Sequence, residues 1–176
     1  MPTEISGSTG VNKIQDNTIV NADINSSAAI AGSKINGSFG KVLQVVQVQY
    51  RTEVATTSTS FVDSGLSASI TPSSTSSKVL VRYTMPHYND TNGRYIYTTI
   101  FRGTISGTNI APGSEGIAIS RIGASSVHAT VPGEWLDSPN TTSSQTYTIG
   151  FKVNGGSGTS QINGTNSTIT LMEIGA

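Results

Sequence analysis

The chain has 176 residues, ten basic and ten acidic, with no cysteine and only His87 and His128 as imidazoles. Zero net charge at 11% charged residues argues against a nucleic-acid binder that works by neutralising phosphates. The missing thiols exclude disulfides and thiolate metal sites, and two histidines do not make a His-rich metal centre. No cofactor and no metal are therefore expected.

What remains is a strongly biased polar chemistry. There are 26 Ser, 24 Thr, 12 Asn and 19 Gly, and the aliphatic residues are 18 Ile and 13 Val against 5 Leu. β-Branched side chains are stiff in a helix and suit a pleated surface, so the composition predicts an all-β protein with many turns. The chain opens Met1-Pro2-Thr3-Glu4 with neither a basic nor an apolar leader, so no export signal is read. No apolar run approaches the roughly 20 residues that span a bilayer, so no membrane insertion is expected. Release by lysis as part of a particle, or a chain whose signal has been removed, would each fit.

Residues 1–40 differ from the rest. Isoleucines recur at Ile14, Ile19, Ile24, Ile30 and Ile35, and no aromatic residue precedes Phe39. Steps of five or six residues are neither the helical 3.6 nor the strand 2. One thin apolar line cannot build a core. It is buried if several chains bring their lines to one axis, as repeat units cover one another's apolar faces. These five residues are the expected seam between copies of the chain. Gly37-Ser38-Phe39-Gly40 reads as a hinge.

From residue 41 to 176 the pattern is of strands and turns. Val42 to Thr52 alternates with Val46, Val48 and Tyr50 on one face, and the doubled Val45-Val46 suggests a bulge. Phe61-Val62 and Leu66 to Ile70 are shorter candidates. Lys78 to Met85 places Val79, Val81 and Tyr83 together. Asn92-Gly93 predicts a hairpin with positive φ at both residues. Arg94 to Arg102 alternates Tyr95, Tyr97 and Phe101 against Ile96 and Ile100. Ile117 to Ile122, Ser126 to Val131 and Glu134 to Leu136 are short strands. Gln145 to Val153 carries Tyr147, Ile149, Phe151 and Val153 on one face, and Thr168 to Ile174 closes the chain. The expected fold is all-β: a short N-terminal shaft shared by several chains, followed by an antiparallel β-sandwich or jelly roll.

Catalytic signatures fail where they can be tested. Gly40-Lys41 is followed by Val42 and preceded by no phosphate-loop glycine, and no Gly-x-Ser-x-Gly elbow occurs. Glu134 and Asp137 flank Trp135, the nearest approach to a glycosidase acid pair beside an aromatic ring. Asp90-Thr91-Asn92-Gly93 lacks the distal Glu of a calcium loop. No catalytic residue is assigned, and the chain is expected not to be an enzyme.

The stretch from Thr18-Ile19-Val20-Asn21-Ala22-Asp23-Ile24 to Gly32-Ser33-Lys34-Ile35 resembles a segment of tail-fibre and other appendage proteins of tailed bacteriophages, notably those of cyanobacteria and marine bacteria. Trp135-Leu136-Asp137-Ser138-Pro139, Gln145 to Ile149, Ile162-Asn163 and Thr168 to Ile174 resemble the distal jelly-roll domain of such proteins, similar in outline to the trimeric complement and tumour-necrosis-factor-like jelly roll. The resemblance implies a homotrimer on the virion surface, a short shaft (1–40) held by other virion proteins, and a knob (41–176) that binds a host-surface glycan or protein. Three weak sites on one knob gain avidity through effective concentration. The contact residues expected are Tyr88, Asn89, Asp90 and Asn92, at the predicted hairpin tip. A capsid head fibre or decoration protein without obligatory receptor binding is the alternative, and a glycan-cleaving enzyme is the third, disfavoured for want of an acid pair.

Overall fold

A computed structural model describes residues 41–111, 113–121 and 127–175, with only the backbone of Val127 and Ile162. The expected seam residues Ile14, Ile19, Ile24, Ile30 and Ile35 lie outside the described residues.

Eleven strands follow one another: β1 (Val42–Tyr50), β2 (Val54–Thr56), β3 (Val62–Ile70), β4 (Lys78–Asn89), β5 (Tyr95–Arg102), β6 (Thr108–Asn109), β7 (Ala118–Arg121), β8 (Val127–Asp137), β9 (Gln145–Val153), β10 (Gly158–Ser160) and β11 (Ser167–Ile174). All pair antiparallel. The only helical piece among the described residues is a three-residue 3₁₀ turn, Ile162–Gly164.

The first sheet runs β1-β11-β4-β10-β2, with β8 on the other edge of β4. The second runs β3-β9-β5-β6, with β7 also on β5. Three short strands continue longer ones: β2 continues β1, β10 lies in line with β11, and β6 and β7 share one edge of β5. Taking each pair as one interrupted strand leaves eight. Their order is then 1-8-3-6 in the first sheet and 2-7-4-5 in the second. That is the arrangement of an eight-stranded, double Greek-key jelly roll.

The core lies between the sheets, as alternation demands. Leu66 and Ile70, Val79, Val81, Tyr83 and Met85, Ile96 and Ile100, Tyr147 to Val153 at alternate positions, and Ile169 with Leu171 are all buried there. The faces read from the sequence for β1, β4, β5 and β9 are the ones observed.

Several boundaries differ. Val45-Val46 is not a bulge. Val45 simply lies on the outer face, and the register shift falls between Val42 and Gln44. The two short strands expected around Pro132-Gly133 are one strand, β8. It pairs only with β4, and an edge strand tolerates a proline. β4 runs four residues beyond Met85, through Pro86 to Asn89. The carbonyl of Pro86 accepts from the Gln161 N–H at 3.1 Å, so its donor-less nitrogen faces the gap between β11 and β10, where no ladder bond is needed. Asn92-Gly93 is not a hairpin turn either. It joins β4 in one sheet to β5 in the other, and of the two residues only Gly93 takes a positive φ, +76°.

Candidate binding surfaces

The sandwich has two ends. Lys41 accepts a backbone hydrogen bond from Gly175 at 2.9 Å, so entry and exit of the domain are adjacent. Ile174 pairs with Lys78 at the start of β4, and β4 ends at Asn89. The β4–β5 connection therefore lies at the end opposite Lys41.

At that far end the four expected contact residues do not form one surface. Tyr88 is half-buried on the outer face of β4, its ring 5.1 Å from that of His128. Asn89 is fully buried, and its side-chain oxygen accepts from the Thr91 N–H at 2.9 Å. It shapes the turn from inside and is not an accessible contact. Asp90 and Asn92 are exposed. Asp90 Oδ1 accepts from Thr91 Oγ1 at 2.7 Å and from the Ser157 N–H at 3.0 Å, tying the connection to the loop after β9. These bonds hold its carboxyl below the ordinary range. The sequence reading missed that β4 continues, so two residues taken for a loop tip belong to a strand.

His87, one register step inward, is fully buried. Its Nδ1 lies 3.4 Å from Ser120 Oγ, and burial lowers its pKa to about 4. It is a neutral core residue.

The acids beside Trp135 separate. Glu134 points outward and forms an exposed ion pair with Arg82 at 3.2 Å. Asp137 points inward at 5% exposure. It accepts from Arg102 Nε at 2.9 Å, from a second Arg102 nitrogen, and from the Tyr147 hydroxyl at 2.7 Å. The bonds that Arg102 donates to Asp137 raise its pKa, while burial first and Asp137 second raise that of Tyr147. Opposite faces of one strand cannot flank a glycosidic bond, so no acid pair exists there. Asp137 joins β8 of the first sheet to β5 and β9 of the second. At the Lys41 end Glu173 of β11 gathers Gln44 of β1 and the loop between β3 and β4. Burial opposes its ionisation, but Ser73 N–H (2.7 Å), Ser73 Oγ (2.6 Å), Gln44 Nε2 (2.7 Å) and Ser77 donate to it, and its pKa falls to about 2.

The outer face of the first sheet carries one apolar row. Register places Val45 beside Met172, Met172 beside Leu80, and Leu80 beside Leu136, across all four strands. Val45 is 57% and Leu136 48% exposed, and Val42 and Leu43 lie exposed next to them. The next row, Gln47, Thr170, Arg82 and Glu134, is polar. Three of its residues, Thr170, Arg82 and Glu134, line a groove of about 490 Å³ together with Thr84, Pro132 and Thr168.

The outer face of the second sheet carries aromatic rings and cations in alternation. Phe101 meets Phe61 edge-on at 5.9 Å. Lys152 Nζ lies 4.7 Å from the Phe61 ring centre and 5.3 Å from that of Tyr97. Tyr97 stacks on Tyr95 at 6.0 Å, and Arg121 lies 5.7 Å over Tyr95. Beside Tyr97 is a cleft of about 290 Å³. Burial, then the Glu115 carboxylate and Tyr95, raise the pKa of Tyr97. The alternation of aromatics along β5 was legible in the sequence. The cations reach it from β7 and β9, which sequence spacing does not reveal.

Among the described residues no cluster of three or more His, Asp or Glu side chains is placed to hold a metal ion.

No protein-family model matches the chain, and no curated protein matches it. Among solved structures, the chain is similar to that of the infectious bursal disease virus Gt strain, at 12% identity and a TM-score of 0.46 over 85% of this chain and 42% of the other. Particles of T=1 symmetry derived from that virus match at 12% identity and a TM-score of 0.43, over 76% of this chain and 36% of the other. A VP2 subviral particle of the same virus matches at 14% identity and a TM-score of 0.42, over 76% and 38%. The chain thus spans about two-fifths of the length of these structures.

Proposed function

We propose that this chain is a non-enzymatic virion appendage of the phage tail-fibre kind, a homotrimer that binds the host cell surface. The observation that carries the reading is the apolar row Val45, Met172, Leu80 and Leu136 on the outer face of the first sheet. Apolar side chains in a continuous exposed row mark an interaction surface when they are not needed for the fold. This row lies at the end where residues 1–40 join the sandwich at Lys41. Three associated chains can bury such rows against one another. The apolar core of the interface and its polar rim would be the row itself and the Gln47–Thr170–Arg82–Glu134 row beside it.

Light scattering on a sizing column tests the trimer. Three chains of 18.3 kDa make about 55 kDa. The double variant Val45→Glu, Leu136→Glu is expected to elute as a folded monomer. A monomeric wild type removes the shared-axis reading. Antibody labelling of particles tests the placement: label at the tail supports the appendage, and label over the head favours a capsid fibre or decoration.

A further inference from the structure

We propose that the cleft on the outer face of the second sheet is a binding site for a neutral saccharide; this rests on the host-surface reading and names the ligand class. The cleft is lined by Thr59, Tyr97, Ser114, Glu115, Lys152 and Asn154, with the apolar Val153 between the last two. Three of its polar groups are held in place. Lys152 Nζ donates to the Ser114 carbonyl at 2.7 Å and stands between the Phe61 and Tyr97 rings, which fixes a flexible side chain. Asn154 Oδ1 accepts from the Tyr95 N–H at 2.8 Å, which leaves its amide nitrogen as an oriented donor. Tyr97 is stacked on Tyr95 and only 9% exposed, so its ring is a rigid wall. Glu115 and Thr59, both exposed, add an acceptor carboxylate and a hydroxyl.

The cleft therefore holds both donors, on Lys152 and Asn154, and acceptors, on Glu115 and Thr59, beside the Tyr97 ring. That is what a ring of hydroxyl groups requires, each hydroxyl giving one hydrogen bond and taking another. Binding to preset groups avoids the cost of ordering them. With the Glu115 carboxylate and the Lys152 ammonium both in its lining the cleft carries no net charge to draw in a sugar acid or phosphate, and a purely apolar ligand would strip water from its polar side chains without replacing their bonds. At about 290 Å³ the space lies at the lower end for a small-molecule site. It suits one sugar unit of a longer chain. By contrast, the exposed residues of the β4–β5 connection, Asp90 and Asn92, offer no aromatic wall.

The test is a printed array of neutral and acidic bacterial oligosaccharides probed with the full-length chain, followed by titration of the retained sugars. Retention of neutral sugars is expected. Glu115→Ala and the cleft-filling Thr59→Trp, both exposed positions, are expected to weaken it at least tenfold with unchanged thermal midpoints. Thr142→Ala, at an exposed position in the loop between β8 and β9, is expected to bind as wild type. Retention of acidic sugars alone, no retention at all, or retention untouched by both cleft variants overturns the proposal. Labelled wild-type chain that coats host cells while the array stays blank overturns the saccharide site and leaves host binding standing. Failure of both removes the two readings together.

Discussion

Replacing Asp137 by alanine isolates the contact that ties the two sheets together near the Lys41 end. In the wild type the carboxylate is 5% exposed and takes two bonds from Arg102 and one from Tyr147, itself fully buried. Alanine leaves the Tyr147 hydroxyl without its partner in an apolar setting, at about 1–3 kcal/mol. The Arg102 side chain is 29% exposed, so water relieves much of its loss. Its two charge-assisted bonds add about 1–2 kcal/mol and not the larger cost of a fully buried charge. The sum is about 3 kcal/mol, or a fall of about 10 °C in Tm for a unit of this size. Trp135, the single tryptophan, is partly buried two residues away on β8 and reports unfolding by fluorescence. Urea melts at one fixed protein concentration keep any subunit association constant. Tyr147→Phe, which leaves the Arg102 pair intact, should cost only about 1 kcal/mol. An Asp137→Ala variant less than 1 kcal/mol below wild type would refute the clamp.

Acid should weaken the fold in two separable steps. The pKa of His87 falls from 6.5 to about 4 on folding, so only the unfolded chain takes up that proton between these values, and stability present above pH 6.5 drains by about 3 kcal/mol as pH falls to 4. His87→Gln should flatten that window in urea melts at stepped pH, and an unchanged slope would show that His87 is not the group responsible. Glu173, lowered from 4.5 to about 2, stabilises above pH 4.5, and that contribution is lost as pH falls toward 2; Glu173→Gln should remove the slope there. At Gly133 an added Cβ would collide with the Tyr83 ring, whose hydroxyl bonds Thr98 Oγ1 at 2.6 Å in the core. Gly133→Ala should therefore cost about 1–3 kcal/mol by overpacking, and a neutral result in thermal melts would mean that Tyr83 has room to turn.

The fold was legible where alternation is strict. Val79, Val81 and Tyr83, or Tyr147, Ile149, Phe151 and Val153, each declare a buried face through period two. Legibility failed where local chemistry and tertiary context part. Pro86 signals a strand end to any local reading, yet the strand continues because the ladder is interrupted opposite it. Asn92-Gly93 has hairpin chemistry, but whether the flanking strands pair or separate is decided by which core face each must bury. The expected contact residues suffered from both errors, and Asn89 turned inward. The two outer surfaces arise from register between strands distant in the chain: Leu80 meets Met172, and Tyr97 meets Lys152. Single-sequence spacing carries no information on such pairs.

The placement of Lys41 and Asn89 at opposite ends of one sheet has a mechanical consequence. Tension applied between residue 41 and the β4–β5 connection would run from β1 through β11 to β4, parallel to all three strands. β1 and β11 share eight register pairs, and β11 and β4 share seven. Pulled along their length, neighbouring strands can slide only if many cross-strand bonds yield together, whereas a pull across the strands would peel them one at a time. The domain is thus loaded in its strong direction by a tether entering at Lys41, and its failure force should depend sharply on which two points are pulled.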